Sequence, residues 1–147
     1  MVRGHKIVTF VILGTILASS ACGDDSAPTA PSLPTTTFSQ TDLLVGTGAE
    51  AVNGRRLTVH YTLWLYDPAR PESKGQQLQT SVGGSPFPFV LGAGGVIRGW
   101  DQGVPGMKVG GIRRLIIPPS LAYGSSGQGS IPPNATLVFD IQLLDVQ

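Results

Sequence analysis

Six aromatic residues are the chemistry this sequence has to offer: Tyr61, Phe87, Phe89, Trp100, Tyr123 and Phe139. Their rings supply broad apolar area, and the two tyrosines each add a hydroxyl. Trp100 stands in an unusual setting, between Gly99 and Asp101, with Pro105–Gly106 close behind. A tryptophan that only fills a core is expected in a longer apolar pattern. The plain alternative is that all six belong to an ordinary core. Two features speak against it. Tyr123 falls in a turn-rich stretch, LAYGSSGQGSIPPNA (121–135), where core residues are uncommon. A small β domain with this many inward aromatics also leaves room for an open cup.

Other chemistries lack their residues. Beyond the first few positions the only histidine is His60, and it falls on a strand pattern. A zinc site needs three or four Cys, His or carboxylate ligands, and no cluster supplies them. No serine sits in a G-x-S-x-G elbow, and no second histidine exists for a triad. Gly92-Ala93-Gly94-Gly95 lacks the spacing of a dinucleotide fingerprint and reads as a turn. Asn134-Ala135-Thr136 matches a glycosylation sequon by chance. Asp101, near a helix start, suits the helix dipole without a catalytic role.

The elements that must position the aromatics are mostly strands. Residues 57–66 (LTVHYTLWLY) are β-branched and aromatic, with Leu57, Val59, Tyr61, Leu63 and Leu65 on one face. Asn53–Gly54 upstream is a tight-turn signal, expected to return a segment around Leu43–Val45 towards this strand. Residues 67–77 read as a polar loop broken by proline. Residues 78–81 and 86–91 follow as short strands, the latter with Phe87 and Phe89 on one face. Residues 112–117 form a strand stopped by Pro118–Pro119. Residues 135–146 close the chain, with Leu137, Phe139, Ile141 and Leu143 pointing one way. The one helix candidate runs from Arg98 to Gly103, since Pro105 disfavours helical geometry at Val104. At about two turns it cannot bury Trp100 by itself.

The start of the chain reads differently. Arg3 and Lys6 precede an uncharged apolar run, residues 7–18, which together resemble a secretory signal peptide ending at Ala21. The run is too short for a membrane span of about 20 residues. Cys22 is the only cysteine, so no intrachain disulfide is possible. The small residues before it resemble a lipobox, although Ser19 replaces the usual leucine, and Cys22 is expected to be lipidated. Plain cleavage after Ala21 is the alternative. Without Arg3 and Lys6, eight basic residues face nine acidic ones, which leaves no electrostatic footprint for nucleic acid. Residues 22–37 are small, polar and proline-bearing, and read as a flexible tether. Residues 38–147 are then one small domain.

Five stretches of that domain, in order, resemble one family: VHYT (59–62), PFPFVLG (86–92), VIRGW (96–100), AYG (122–124) and IPPNATLVFDIQLL (131–144). Together they are similar to the FKBP-type peptidyl-prolyl isomerases over nearly all of 38–147. The resemblance implies an α+β fold, a five-stranded antiparallel half-barrel sheet wrapped around one short helix. It places a ligand pocket on Tyr61, Phe87, Phe89, Val96, Ile97, Trp100, Tyr123, Ile131 and Phe139, with Trp100 as its floor. Ile97 N–H and the Tyr123 hydroxyl would bind substrate carbonyls, and no metal or cofactor is implied.

The implied partners are proline-containing polypeptides, met by a monomer outside the cytoplasm and near a membrane. The chain departs from the family at Leu78-Gln79, where a Phe-Asp pair is usual, and both residues would edge the pocket. Leu63 replaces a common glycine, the segment after Gly127 is about one residue short, and 67–77 lengthens a variable bulge. Two functions stay open at this point: an isomerase for exported proteins, and a non-catalytic proline-peptide or protein-binding module on the same fold.

Overall fold

The two longest strands form the spine of the sheet. β2 (Arg56–Tyr66) and β6 (Leu137–Val146) run antiparallel, with Tyr61 opposite Ile141 and Leu63 opposite Phe139. Facing residues on one side of this pair are apolar, and Leu57, Val59, Leu63, Leu137, Ile141 and Leu143 are all buried. The computed structural model describes residues 32–147. The leader and Cys22 therefore lie outside the described residues.

β1 (Ser39–Leu44), β3 (Lys74–Thr80), β4 (Phe87–Val90) and β5 (Ile112–Ile117) complete an antiparallel sheet in the order β1-β5-β6-β2-β3. It has six strands rather than five. β4 pairs the first half of β2, from Arg56 to Val59, and β3 pairs the second half, from Thr62 to Tyr66. The sheet thus keeps five positions, with the outermost one filled by two short strands end to end. The eleven residues of β2 are long enough to hold both.

Two expectations about connections are overturned. The turn at Asn53–Gly54 does not return the first segment onto β2, because β1 pairs β5, with Ser39 opposite Ile116. Gly54, at φ 86°, instead donates its N–H to the Leu91 carbonyl, 2.8 Å. The chain between β1 and β2 is held on the segment after the helix, through Ala51 N–H to Met107 O at 2.7 Å and Gly106 N–H to Ala51 O at 2.9 Å. The 67–77 segment is not all loop either. One 3-10 turn at Pro71–Ser73 is followed directly by β3, which starts at Lys74.

Lys-Gly-Gln-Gln has no apolar residue to announce a strand, so what fixes it is tertiary. Lys74 Nζ sits 2.8 Å from both Glu72 and Asp140, and 4.4 Å from the Trp64 ring centroid. Asp140 also accepts two bonds from Arg114, at 2.7 and 2.9 Å.

α1 (Arg98–Gly103) packs on β5 and ends at Gly103, but not for the expected reason: Val104, just before Pro105, keeps helical angles (φ −83°, ψ −30°) and donates its N–H to the Trp100 carbonyl at 2.9 Å. Its glycines explain how close it comes. A Cβ on Gly99 would run into the Ile117 side chain, and one on Gly103 would stand 2.5 Å from Leu115 Cδ2. The bare face of α1 therefore rests directly on β5, and Trp100 is carried into the core at 4% exposure. Arg113 of β5 ties this arrangement together. Its guanidinium donates to the Gly103 carbonyl (2.9 Å), the Pro105 carbonyl (3.0 Å) and both oxygens of Asp42 on β1 (2.5 and 3.1 Å). A buried cation beside a helix C-terminus satisfies carbonyls that the helix itself leaves open.

Candidate functional site

The concave side of the sheet holds a cup around Trp100. Four rings stand edge-on to the indole: Tyr61 at 5.4 Å between centroids, Phe87 at 6.0 Å, Phe89 at 5.3 Å and Phe139 at 5.4 Å. Edge-to-face pairs of this kind place a positive ring edge against a negative face. The cup lined by Trp100, Tyr61, Phe87 and Phe139 measures about 130 Å³.

Each wall comes from a different element. Tyr61 and Leu63 come from β2, Phe87 from β4, Phe139 from β6 and Trp100 from α1. Gly95, Val96 and Ile97 close the rim on the approach to α1, and Tyr123 closes it on the opposite connection. Gln79 of β3 completes the lining. Val96, Ile97 and Tyr123 are partly buried and packed against the core. Gly95 and Leu63 are lining residues that the aromatic pattern alone did not point to. Leu63 was visible only as a departure at a position where glycine is usual.

Three residues expected at the pocket adjoin the cup without lining it. Phe89 is 8% exposed, packed 5.3 Å from the Trp100 ring and stacked on Phe87 at 6.1 Å, so it supports the cup without lining it. Alternation along β4 puts 87 and 89 on one face, but it does not set depth. Phe89 pairs Leu57 and is buried against Trp100, whereas Phe87 pairs Val59, lines the cup and is 38% exposed. Leu78 and Ile131 line a second cavity of about 250 Å³ beside the first. The two cavities share Leu63, Gln79 and Tyr123.

Local backbone bonds hold these walls. The Tyr61 N–H donates to Ser81 Oγ at 3.0 Å, and Ser81 N–H returns to the Tyr61 carbonyl at 2.9 Å. Ser81 Oγ also meets His60 Nδ1 at 3.1 Å, which gives His60 a structural partner away from the cup. Asp101 accepts the Gly92 N–H at 2.8 Å and so anchors the glycine turn before Val96 to the helix. Tyr123 follows a 3-10 turn at Pro119–Leu121, and the next residue, Gly124, accepts the Asn134 N–H at 2.8 Å.

Two donors at the rim are unspent among the described residues. Neither the Ile97 N–H, just ahead of α1, nor the Tyr123 hydroxyl is bonded to another described residue. The Trp100 indole N–H is likewise buried without a hydrogen-bond partner. No carboxylate, imidazole or ammonium lines the cup, and no group of three or more His, Cys, Asp or Glu capable of holding a metal occurs among the described residues. The arrangement can bind an apolar ring and pin carbonyl oxygens at its edge.

Burial raises the pKa of both tyrosine hydroxyls, and for Tyr61 the nearby Tyr123 adds to the effect. A raised pKa keeps the neutral hydroxyl, and hence the donor, to higher pH than for a free tyrosine. With no other ionisable group in the lining, any activity of the cup should be flat from about pH 5 to 9, falling only above the ordinary tyrosine range near 10. A kcat/KM profile with a limb inside that window would contradict the assignment of the site.

Comparison with known proteins gives a consistent picture. Residues 48–144 match the family profile described as FKBP-type peptidyl-prolyl cis-trans isomerase. An FK506-binding protein of Neisseria meningitidis serogroup B is 47% identical over 106 residues, covering 71% of this chain and 92% of that protein. The peptidyl-prolyl cis-trans isomerase FKBP15-3 of Arabidopsis thaliana is 46% identical over 100 residues, 68% of this chain and 66% of the relative. Among solved structures, AtFKBP13 superposes with a TM-score of 0.64 at 38% identity, covering 75% of this chain and 93% of the other. FkpA from Escherichia coli gives 0.65 at 36% identity, with 80% of this chain matching 53% of that one.

Proposed function

The chain belongs to the FKBP-type peptidyl-prolyl cis-trans isomerases, and we propose that the cup around Trp100 is where it turns the Xaa-Pro bond. Rotation about a peptide bond meets a barrier of about 18–20 kcal/mol because resonance gives the C–N bond partial double character. The twisted transition state has lost that resonance and carries a less dipolar carbonyl. An apolar enclosure therefore disfavours the planar amide more than the twisted one.

In this reading the prolyl ring lies on Trp100 between Tyr61, Phe87 and Phe139. The Ile97 N–H and the Tyr123 hydroxyl receive substrate carbonyls and hold the twist. Tyr61, Ile97, Trp100, Tyr123 and Phe139 thus carry the reaction, and Phe87, Val96 and Gln79 shape the approach. The observation that carries the reading is the pairing of an aromatic floor with two unspent donors at its rim. Of the two departures behind a binding-only module, Leu78 lies in the adjoining cavity, and Gln79 edges the cup without supplying either the floor or the two donors.

The test is cis–trans exchange of a short Xaa-Pro peptide, followed by NMR or a protease-coupled assay. Acceleration that saturates with peptide is expected. Binding without acceleration at high protein concentration would favour the binding module instead.

We also propose that the enzyme serves exported polypeptides from a lipid anchor on Cys22. What supports this is the basic tip, the apolar run and the small residues before the cysteine. Lipoprotein-type anchoring would leave residues 23–37 between the anchor and the domain. Metabolic labelling with a fatty acid should mark the protein and fail in Cys22→Ser. Labelling of both, or of neither, would remove the anchor from the account.

A further inference from the structure

The outer edge of β2 is interrupted for two residues. β4 pairs it from Arg56 to Val59 and β3 from Thr62 to Tyr66, so His60 and Tyr61 fall in the break between the short strands. Tyr61 is also a wall of the cup, its ring 5.4 Å from Trp100 and 5.9 Å from Phe87 between centroids. A wall of the site thus rises from the point where the outer ladder is broken.

One side chain fills that break. Ser81, the residue after β3, accepts the Tyr61 N–H on its Oγ at 3.0 Å. The same Oγ lies 3.1 Å from His60 Nδ1, so both residues that lack a strand partner on this edge meet one hydroxyl. The Ser81 N–H and Thr80 Oγ1 donate to the Tyr61 carbonyl, at 2.9 and 3.2 Å. Without Oγ, the Tyr61 N–H would turn to water, which satisfies a donor but does not tie β2 to the end of β3.

Resting on the proposed isomerase reading, we infer that Ser81 is a positioning residue of the site: its hydroxyl takes the place of the missing strand and fixes the Tyr61 ring against Trp100 and Phe139. Ser81 does not line the cup, so it acts only through Tyr61. The ring follows its own backbone, and a shift of β2 at this residue carries the wall with it. The effect belongs to binding. Tyr61 packs on the prolyl ring in the planar and the twisted state alike, and an interaction of that kind sets Kd and KM while leaving kcat in place.

The experiment compares the protein with Ser81→Ala, Ser81→Thr and Ser81→Val, using the peptide Ala-Ala-Pro-Ala. Threonine and valine share a shape and differ in the hydroxyl. Kd is read by NMR titration, kcat and KM by cis–trans exchange, and the Tyr61 amide by hydrogen exchange. Ser81 is only half-buried, so the fold should tolerate all three changes. Ser81→Ala and Ser81→Val should raise Kd and KM about fivefold, the scale of one net hydrogen bond, and keep kcat within about twofold. In both, the Tyr61 amide should exchange about tenfold faster. Ser81→Thr should stay within about twofold of the unaltered protein on every readout.

An unchanged Kd or unchanged Tyr61 exchange in folded Ser81→Ala, or equal losses in the threonine and valine variants, would overturn the inference. So would a fall in kcat with Kd unaltered, which a smaller folded fraction produces. Should Ser81→Ala fail to fold, the threonine and valine pair still decides. Peptide binding without acceleration by the unaltered protein would remove the isomerase reading, and the Kd comparison would still judge Ser81. Acceleration with the same Kd in all four proteins would do the reverse.

Discussion

Trp100→Leu is expected to lower kcat/KM by about ten- to a hundredfold while the protein stays folded, a loss of roughly 1.4–2.8 kcal/mol of transition-state stabilisation. The reason is geometric. Leucine keeps the site apolar, but it offers no flat face, and four rings pack edge-on against the indole to define the cup. Trp100→Ala would confuse the result, because truncating a buried tryptophan typically costs about 3–5 kcal/mol and endangers the fold. The leucine variant should therefore be measured by exchange rate and by thermal unfolding together. A folded Trp100→Leu protein with unaltered kcat/KM would show that the floor is not where the prolyl ring sits.

The second large effect concerns stability. Arg113→Met should cost about 3 kcal/mol, the low end for breaking a buried charged network, because Asp42 is itself 41% exposed at the side chain and can regain water. The Gly103 and Pro105 carbonyls cannot regain their donors so easily, since Arg113 reaches them inside the packed layer. For a domain of this size the melting temperature should drop by about 10 °C or more. A shift of less than about 3 °C would mean that the carbonyls find other partners.

The same variant should flatten the acid side of the stability curve. The bond from Arg113 holds the Asp42 carboxyl below its ordinary pKa of 3.8. A depressed folded pKa contributes stability that is present above the unfolded value and is lost as pH falls through the folded one. Removing Arg113 removes that contribution, so the parent should lose more stability than the variant below about pH 4. Asp42→Asn should reproduce the flattening with a smaller loss at neutral pH, since the carbonyl bonds remain.

The pattern of residues along the chain already set out a good part of this molecule. Strand β5 stops at the prolines that follow it, and the alternation in β2 and β6 assigns the buried faces correctly. Those features are local: a period of two, or a proline's effect on the residue before it, is written in neighbouring positions. The set of aromatics is a matter of composition that folding does not change. The resemblance to the isomerase family likewise rested on short stretches in a fixed order.

What tertiary structure alone decided is depth, register and partner. Alternation placed Phe87 and Phe89 together, yet only the position of α1 buries one against Trp100 and leaves the other lining the cup. Nothing local told β1 to pair β5 rather than β2, since that choice joins residues such as Ser39 and Ile116 across most of the domain. A polar run, Lys74–Gln77, became strand because ion pairs and the long edge of β2 hold it there. The one-residue slip at Leu78 is the sharpest case. By period two, Leu78 and Gln79 face opposite sides of the sheet; a single bulge turns both inward and opens a second cavity beside the cup. A face can be read from adjacent residues, but a slip depends on how two distant strands meet, and that is settled only when the chain packs.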